Sequence, residues 1–253
     1  MGKSIPDDPP ALDLARAALF LDYDGTLVGI APTPAEARPD QAVLALLGRL
    51  ERRLDGALAI VSGRGVADLD LMLAPLRLTV AGLHGLEVRP RGAAMPVCAG
   101  DAGLLTPARA AMSAFTERNP GTLIEDKRLS LALHYRLNPN AGGAAERLAE
   151  QLAAESAGAL RLQRGKMVVE LLPAGRDKGR AIDDLLTLDD FVGRQPVFVG
   201  DDVTDEAGFR VVNERGGMSV RIGSAEATAA RYRLSDVAAM QAWLHGSLDR
   251  ESV

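Results

Sequence analysis

The 253-residue chain is 47% hydrophobic and 25% charged, enough apolar material for a full core in one large domain or two smaller ones. A formal charge of −5 argues against a nucleic-acid binder and leaves capture of any anionic substrate to a local cluster of Lys and Arg. Cys98 is the one cysteine, which excludes an internal disulfide framework and fits a reducing compartment. The proline-broken first twenty residues carry no secretory h-region, and no apolar stretch reaches membrane-span length. A cytoplasmic monomer without nucleic-acid or membrane partners is expected. The first sixteen residues default to disorder, as short termini do.

Residues 18–27 read Ala-Leu-Phe-Leu-Asp-Tyr-Asp-Gly-Thr-Leu, an apolar run that ends in two aspartates one residue apart. A short apolar run bounded by Gly predicts a buried strand of a parallel sheet. Chemistry in such sheets sits beyond the carboxyl ends of the strands, where Asp22 and Asp24 fall. Asp-x-Asp-Gly also occurs in ordinary turns and in calcium loops. A helix–loop–helix calcium site fits poorly, because positions 5, 7 and 12 counted from Asp22 are Thr26, Val28 and Thr33, and a strand precedes the loop.

After a Pro- and Ala-rich loop or flap over residues 30–39, Val43, Leu44, Leu46, Leu47 and Leu50 give helical spacing across 40–54. Residues 57–61 form a second strand that stops at Ser62-Gly63-Arg64, and 66–73 a second helix. Residues 78–81 are a third strand, ending in Gly82-Leu83-His84-Gly85, with 86–88 continuing extended. This alternation predicts a parallel, helix-covered sheet.

The rhythm changes in the middle. A helix over 107–118, strands over 122–124 and 129–135, a helix over 144–155 and strands over 160–163 and 167–172 make an αββαββ unit. The expected organisation is a Rossmann-like doubly wound α/β core (1–104 and 174–253) carrying an inserted α+β domain (105–173). Candidate hinges lie near Gly100–Gly103 and Pro173–Gly175. The first rhythm returns with a helix over 177–186 opening at Lys178-Gly179 and a strand over 196–199. That strand ends in Gly200-Asp201-Asp202-Val203-Thr204-Asp205-Glu206. A helix over 207–212, a strand over 218–222 and a closing helix over 238–244 complete the chain.

Four groups therefore stand at the ends of predicted elements: Asp22/Asp24, Ser62 with Arg64, Lys178, and Asp201/Asp202/Asp205. Singly, each reads as a turn former, a helix-start lysine or an N-cap. Together, two acidic strand ends, a hydroxyl and a lysine suit a divalent cation and a phosphoryl group. Hard oxygen ligands favour Mg²⁺, which shares itself with substrate phosphate. A carboxylate can attack phosphorus, and a second can pass the proton to the leaving group.

The order Asp-x-Asp-Gly-Thr-Leu, strand-end Ser, Lys and Gly-Asp-Asp resembles the haloacid dehalogenase-like phosphatases across essentially the whole chain. Within that superfamily the chain is similar to the trehalose-6-phosphate phosphatase family. Besides Leu21–Leu27 and Ser62-Gly63-Arg64, the likeness rests on Gly82-Leu83-His84-Gly85-Leu86-Glu87, Glu125-Asp126-Lys127, His134-Tyr135-Arg136 and Gly200–Glu206. The resemblance implies Mg²⁺-dependent hydrolysis of trehalose 6-phosphate through an aspartyl-phosphate. Asp22 is then nucleophile and metal ligand, and Asp24 general acid/base and metal ligand through its carbonyl. Ser62 and Lys178 hold the phosphoryl oxygens. Asp201 completes the metal site, with Asp202 and Asp205 ligating through water or orienting the ligands. It further implies that the insert is a specificity cap, that Glu125, Lys127, Arg136, Lys166 and Glu170 bind the sugar, and that Arg64 and His84 face the substrate from the core. His84 reads equally well as a loop-bonding structural histidine, and the cap set as a surface salt-bridge lattice. Two rival functions remain at this point: a phosphatase for another sugar phosphate, such as a sucrose-phosphate or mannosyl ester, and a non-catalytic sugar-phosphate-binding module.

Overall fold

The computed structural model describes residues 8–31, 36–224 and 227–250. Its elements divide into two units, Met1–Cys98 with Arg176–Val253, and Ala99–Gly175. No helix among the described residues is long and apolar enough to cross a membrane.

In the first unit, β1 (Ala17–Leu21) is buried along its whole length. It lies between β2 (Leu58–Val61) and the strand at Gln195–Gly200, paired parallel to both. Between β1 and β2 the chain forms α1 (Gln41–Arg53), capped by the Asp40 carboxylate on the Val43 amide and burying Val43, Leu46, Leu47 and Leu50. Helix α2 (Val66–Leu73) leads to β3 (Thr79–Gly82), which extends the parallel order. Two short strands, β4 (Glu87–Arg89) and β5 (Val97–Cys98), then add antiparallel at the edge. The expected parallel sheet thus carries an antiparallel margin, and two-residue β5 is too short to leave a hydrophobic pattern.

The second unit begins with α3 (Thr106–Arg118), β6 (Leu123–Asp126) and β7 (Leu131–His134). Helix α4 (Gly142–Glu155), β8 (Leu160–Gly165) and β9 (Val168–Pro173) follow. Its sheet is antiparallel throughout, in the order β6-β7-β9-β8. Leu131, Leu133, Val169 and Leu171 pack with Met112, Phe115, Ala145 and Ala149 of the helices. By the two-residue period of a strand, Ala132 and Glu170 turn to the other face. Glu125 and Asp126, expected in the connecting loop, belong to β6.

The first unit resumes at α5 (Lys178–Leu185), followed by β10 (Gln195–Gly200), α6 (Glu206–Glu214) and β11 (Met218–Ile222). Strand β12 (Tyr232–Leu234) and α7 (Val237–Arg250) end the described chain. The sheet order is β12-β11-β10-β1-β2-β3-β4-β5, so connections run outward from β1 in both directions. Right-handed crossovers then place helices on opposite faces, the doubly wound arrangement, with its switch point at β1/β10.

The amino terminus corrects an expectation. Leu12 and Leu14 are buried, the Leu12 amide donates to Ser247 Oγ at 3.1 Å, and Trp243 Nε1 donates to the Pro10 carbonyl at 2.9 Å. Backbone bonds from Pro10 and Leu12 to α7, with Leu12 and Leu14 buried in the core, order this stretch. Residues 1–7 and 32–35, part of the expected flap, lie outside the described residues.

Candidate active site

The carboxyl ends of β1, β2 and β10 converge with the start of α5. Asp22 follows β1, and its amide donates to the Val199 carbonyl of β10 at 2.9 Å. Leu21 pairs with Ile60, so Ser62, the first residue after β2, falls one position beyond the level of Asp22. Lys178 opens α5, whose N-cap Asp177 accepts from the Arg180 amide at 2.8 Å. The cap fixes where the helix begins and therefore where Lys178 projects.

Lys178 is the centre of the cluster. Its Nζ lies 2.7 Å from Asp22 Oδ1 and 2.6 Å from Asp205 Oδ1, with all three residues buried. Asp205 Oδ2 accepts the amides of Asp201 and Asp202 at 2.9 and 2.8 Å, so Asp205 is committed to Lys178 and to the loop before α6. Asp201 Oδ1 accepts from Thr26 Oγ1 at 3.1 Å. Oxygens of Asp22, Asp201 and Asp205 lie within 4.8 Å of one another. Gly25 is required twice, by its φ of +79° and because a Cβ there would meet Asp201 Oδ2 at 2.1 Å.

The electrostatics leave this cluster short of positive charge. Three carboxylates against one ammonium carry two excess negative charges when all are ionised. Burial pushes Asp22 well above the usual carboxylate range, and Asp205 and Asp201 add to the rise against the pull of Lys178. Burial and then Asp205 raise Asp201 to about 6. Burial opposes the Lys178 charge, but Asp22 and Asp205 outweigh it and hold the ammonium above its ordinary range. Converging hard oxygens, a deficit of two charges and desolvated carboxylates fit a divalent cation such as Mg²⁺.

Asp24 stands apart from Asp22. Its carboxylate takes a two-pronged bond from Arg64, with Nε to Oδ2 and Nη2 to Oδ1 both at 2.6 Å. The guanidinium carbon sits 5.1 Å from the centroid of the Tyr23 ring, whose hydroxyl donates to the Ala37 carbonyl at 2.9 Å. Ser62 Oγ accepts the Arg64 amide at 3.2 Å. His84 is buried against Gly63, where a Cβ would meet its Nε2 at 2.8 Å. Asp202 is exposed and its carboxylate caps Val203 at 2.6 Å, so Asp205, not Asp202, joins Asp22 and Asp201.

In the second unit, register places Glu125, Ala132, Glu170 and Gln163 in one row across the sheet. Glu170 Oε1 accepts from Ser130 Oγ at 2.6 Å and Lys127 Nζ at 3.2 Å, and Glu125 Oε2 lies 2.9 Å from His134 Nε2. Glu125, Lys127 and Glu170 thus share one polar strip, while Arg136 and Lys166 lie exposed beyond the ends of β7 and β8. His134 and Thr26 lie in motifs named above but carry no role there; Ser130 in this strip and Arg221 in the first unit are named in none. Arg221 Nη2 donates to the Asp201 carbonyl at 2.6 Å. An arginine within the buried parallel strand Met-Ser-Val-Arg-Ile is the signal that could find it.

A trehalose-phosphatase family model matches residues 20–238. The trehalose-6-phosphate phosphatase of Escherichia coli (strain K12) is 39% identical over 230 residues, covering 91% of this chain and 86% of that protein. A solved structure described as a trehalose-6-phosphate phosphatase related protein superposes with a TM-score of 0.77 at 27% identity, over 92% of this chain and 98% of the other. A haloacid dehalogenase-like hydrolase from Bacteroides thetaiotaomicron shares the fold, with a TM-score of 0.68 at 16% identity over 93% and 99% of the two chains.

A raised carboxylate pKa binds extra protons in the folded state. Without a cation, the contribution of Asp201 to stability is present below its ordinary value of 3.8 and is lost as pH rises through about 6. Mg²⁺ prefers the ionised site, so the gain in melting temperature on adding Mg²⁺ should widen from pH 5 to pH 7. Thermal unfolding by circular dichroism checks this; a gain independent of pH would contradict it.

Proposed function

The chain belongs to the trehalose-phosphatase family, and we propose that it hydrolyses trehalose 6-phosphate to trehalose and phosphate through an aspartyl-phosphate on Asp22. The observation that carries this reading is the buried Asp22–Lys178–Asp205 cluster beside Asp201. It sets a carboxylate nucleophile among groups suited to a metal and a phosphoryl anion.

A carboxylate oxygen of Asp22 attacks phosphorus while Asp24 delivers a proton to the departing sugar oxygen. Asp24 then takes a proton from the water that hydrolyses the acyl phosphate, which restores Asp22 and releases phosphate. Lys178 pulls Asp22 toward its ionised form against burial and orients it, and with Ser62 it binds the phosphoryl oxygens. Asp22, Asp201 and the Asp24 carbonyl would hold Mg²⁺, whose charge offsets the repulsion between the carboxylate and the phosphate. Asp202 and Asp205 support that set, Asp205 by fixing both Lys178 and the Asp201 amide. A role limited to binding sugar phosphate would have no use for the paired arrangement of Asp22 on Lys178 and Asp24 on Arg64. Half-buried Cys98, the one thiol, is consistent with a reducing, cytoplasmic setting.

The second unit serves as the specificity cap in this reading. Glu125, Lys127 and Glu170 offer acceptors and donors in one strip, the chemistry that recognises sugar hydroxyls and rejects analogues lacking them. Arg136 and Lys166 add charge at its margins, and Arg64 and His84 are the contributions of the core.

Phosphate release from a panel of sugar phosphates should require Mg²⁺ and strongly favour trehalose 6-phosphate. Asp22→Asn should remove it while leaving a folded protein, because the substitution is nearly isosteric. Activity confined to another sugar ester would reject the substrate, and a folded, active Asp22→Asn would reject the nucleophile.

Arg64→Ala should lower kcat/KM at least tenfold more for trehalose 6-phosphate than for p-nitrophenyl phosphate, whose leaving group needs no acid. Equal losses on both would remove Arg64 from the orientation of Asp24. Glu170→Ala should likewise cost at least tenfold on trehalose 6-phosphate and far less on p-nitrophenyl phosphate, and matching losses would make the strip structural.

A further inference from the structure

Resting on the metal reading above, we propose that Arg221 is a positioning residue for the cation site: it holds the backbone of the acidic loop so that Asp201 faces Asp22. Arg221, the penultimate residue of β11, is in register with Gly200, the last residue of β10 before the acidic loop. Its side chain is 10% exposed. Nη2 donates to the Asp201 carbonyl at 2.6 Å, and Nη1 lies 3.4 Å from the Asp202 carbonyl and 3.2 Å from Glu206 Oε1. The other oxygen of Glu206 accepts the Ala229 amide at 2.7 Å, so the counter-ion of Arg221 is itself tethered.

The amides and the carbonyls of the same two residues are therefore held by different side chains. Asp205 takes the amides of Asp201 and Asp202, and Arg221 takes their carbonyls. With both sides of each residue held, the backbone of Asp201 is restrained and its Cα–Cβ bond is aimed, while Thr26 Oγ1 holds the carboxylate at 3.1 Å. The fork of a guanidinium can reach two successive carbonyls and a carboxylate at once, which a point-like ammonium cannot. Arg221 Nε is buried without a hydrogen-bond partner among the described residues. That loss marks a side chain placed for the loop, not for its own saturation.

Charge alone predicts the opposite sign. A buried guanidinium close to a cation site repels the incoming ion, so removing it should tighten binding if electrostatics governed. If Arg221 acts by aligning Asp201, removing it should weaken binding, and outer-shell partners of metal ligands are typically worth about 10- to 100-fold in affinity. Lysine keeps the charge and loses the fork, while glutamine loses both.

The experiment is isothermal titration calorimetry of MgCl₂ into the full-length wild type, Arg221→Lys and Arg221→Gln, with the melting temperature of each measured without metal. The expected result is a Kd for Mg²⁺ raised at least tenfold in Arg221→Gln and raised in Arg221→Lys. A purely structural role would lower melting temperatures and leave Kd unmoved, which overturns the proposal, as does tighter binding in Arg221→Gln. Should Arg221→Gln fail to fold, Arg221→Lys decides alone: a Kd equal to wild type overturns the proposal and a raised one supports it. Absence of Mg²⁺ binding in the wild type would overturn the metal reading itself and this proposal with it.

Discussion

Everything in the first unit is arranged around one ammonium with two carboxylates on it. Lys178 bridges Asp22, at the end of the central strand, and Asp205, in the turn before α6. Leaving any of the three buried without its partners would cost several kcal/mol, about 3–5 for a broken buried pair. The contact therefore ties α5 to β1 and to the loop after β10. With Asp201 nearby, the cluster keeps a deficit of two charges that a divalent ion would fill.

Around that centre, backbone geometry gives two aspartates in one short motif different surroundings. Asp22 is buried on Lys178, whereas Asp24 is partly exposed and gripped by Arg64. Gly25 makes the turn that follows them and leaves room for Asp201, whose carboxylate occupies the space a side chain there would need. The reciprocal cap between Asp202 and Asp205 does comparable work on the β10 side, closing the loop that carries Asp201. One carboxylate suited to attack and one suited to proton transfer can then coexist two residues apart, as the proposed mechanism requires.

The elements legible in the sequence were those with dense apolar signals. Strands β1, β2 and β10, the span of α2 and the αββαββ order of the second unit follow from runs and spacing that burial demands. The elements missed were short or polar. Strand β12 reads Tyr-Arg-Leu and is a strand only because β11 lies beside it. The stretch holding Leu12 and Leu14 looks like a disordered tail until α7 is present to receive it. Helix α7 itself runs on to Arg250, past the short apolar span that marked it.

What the sequence determined by itself was the inventory: which strands end in acids, which helix opens with a lysine, and where a second α+β unit interrupts the first. Those are local facts, because hydrophobic periodicity and glycine placement act over a few residues. Only the tertiary structure decided who stands next to whom. It joined Asp205 in place of Asp202 to Asp22 and Asp201, assigned Arg64 to Asp24, and brought Arg221 under the loop from a neighbouring strand. Such pairings follow from strand order and from the desolvation of charges brought together across about 180 residues of chain, between Asp22 and Asp205. No local pattern encodes that constraint.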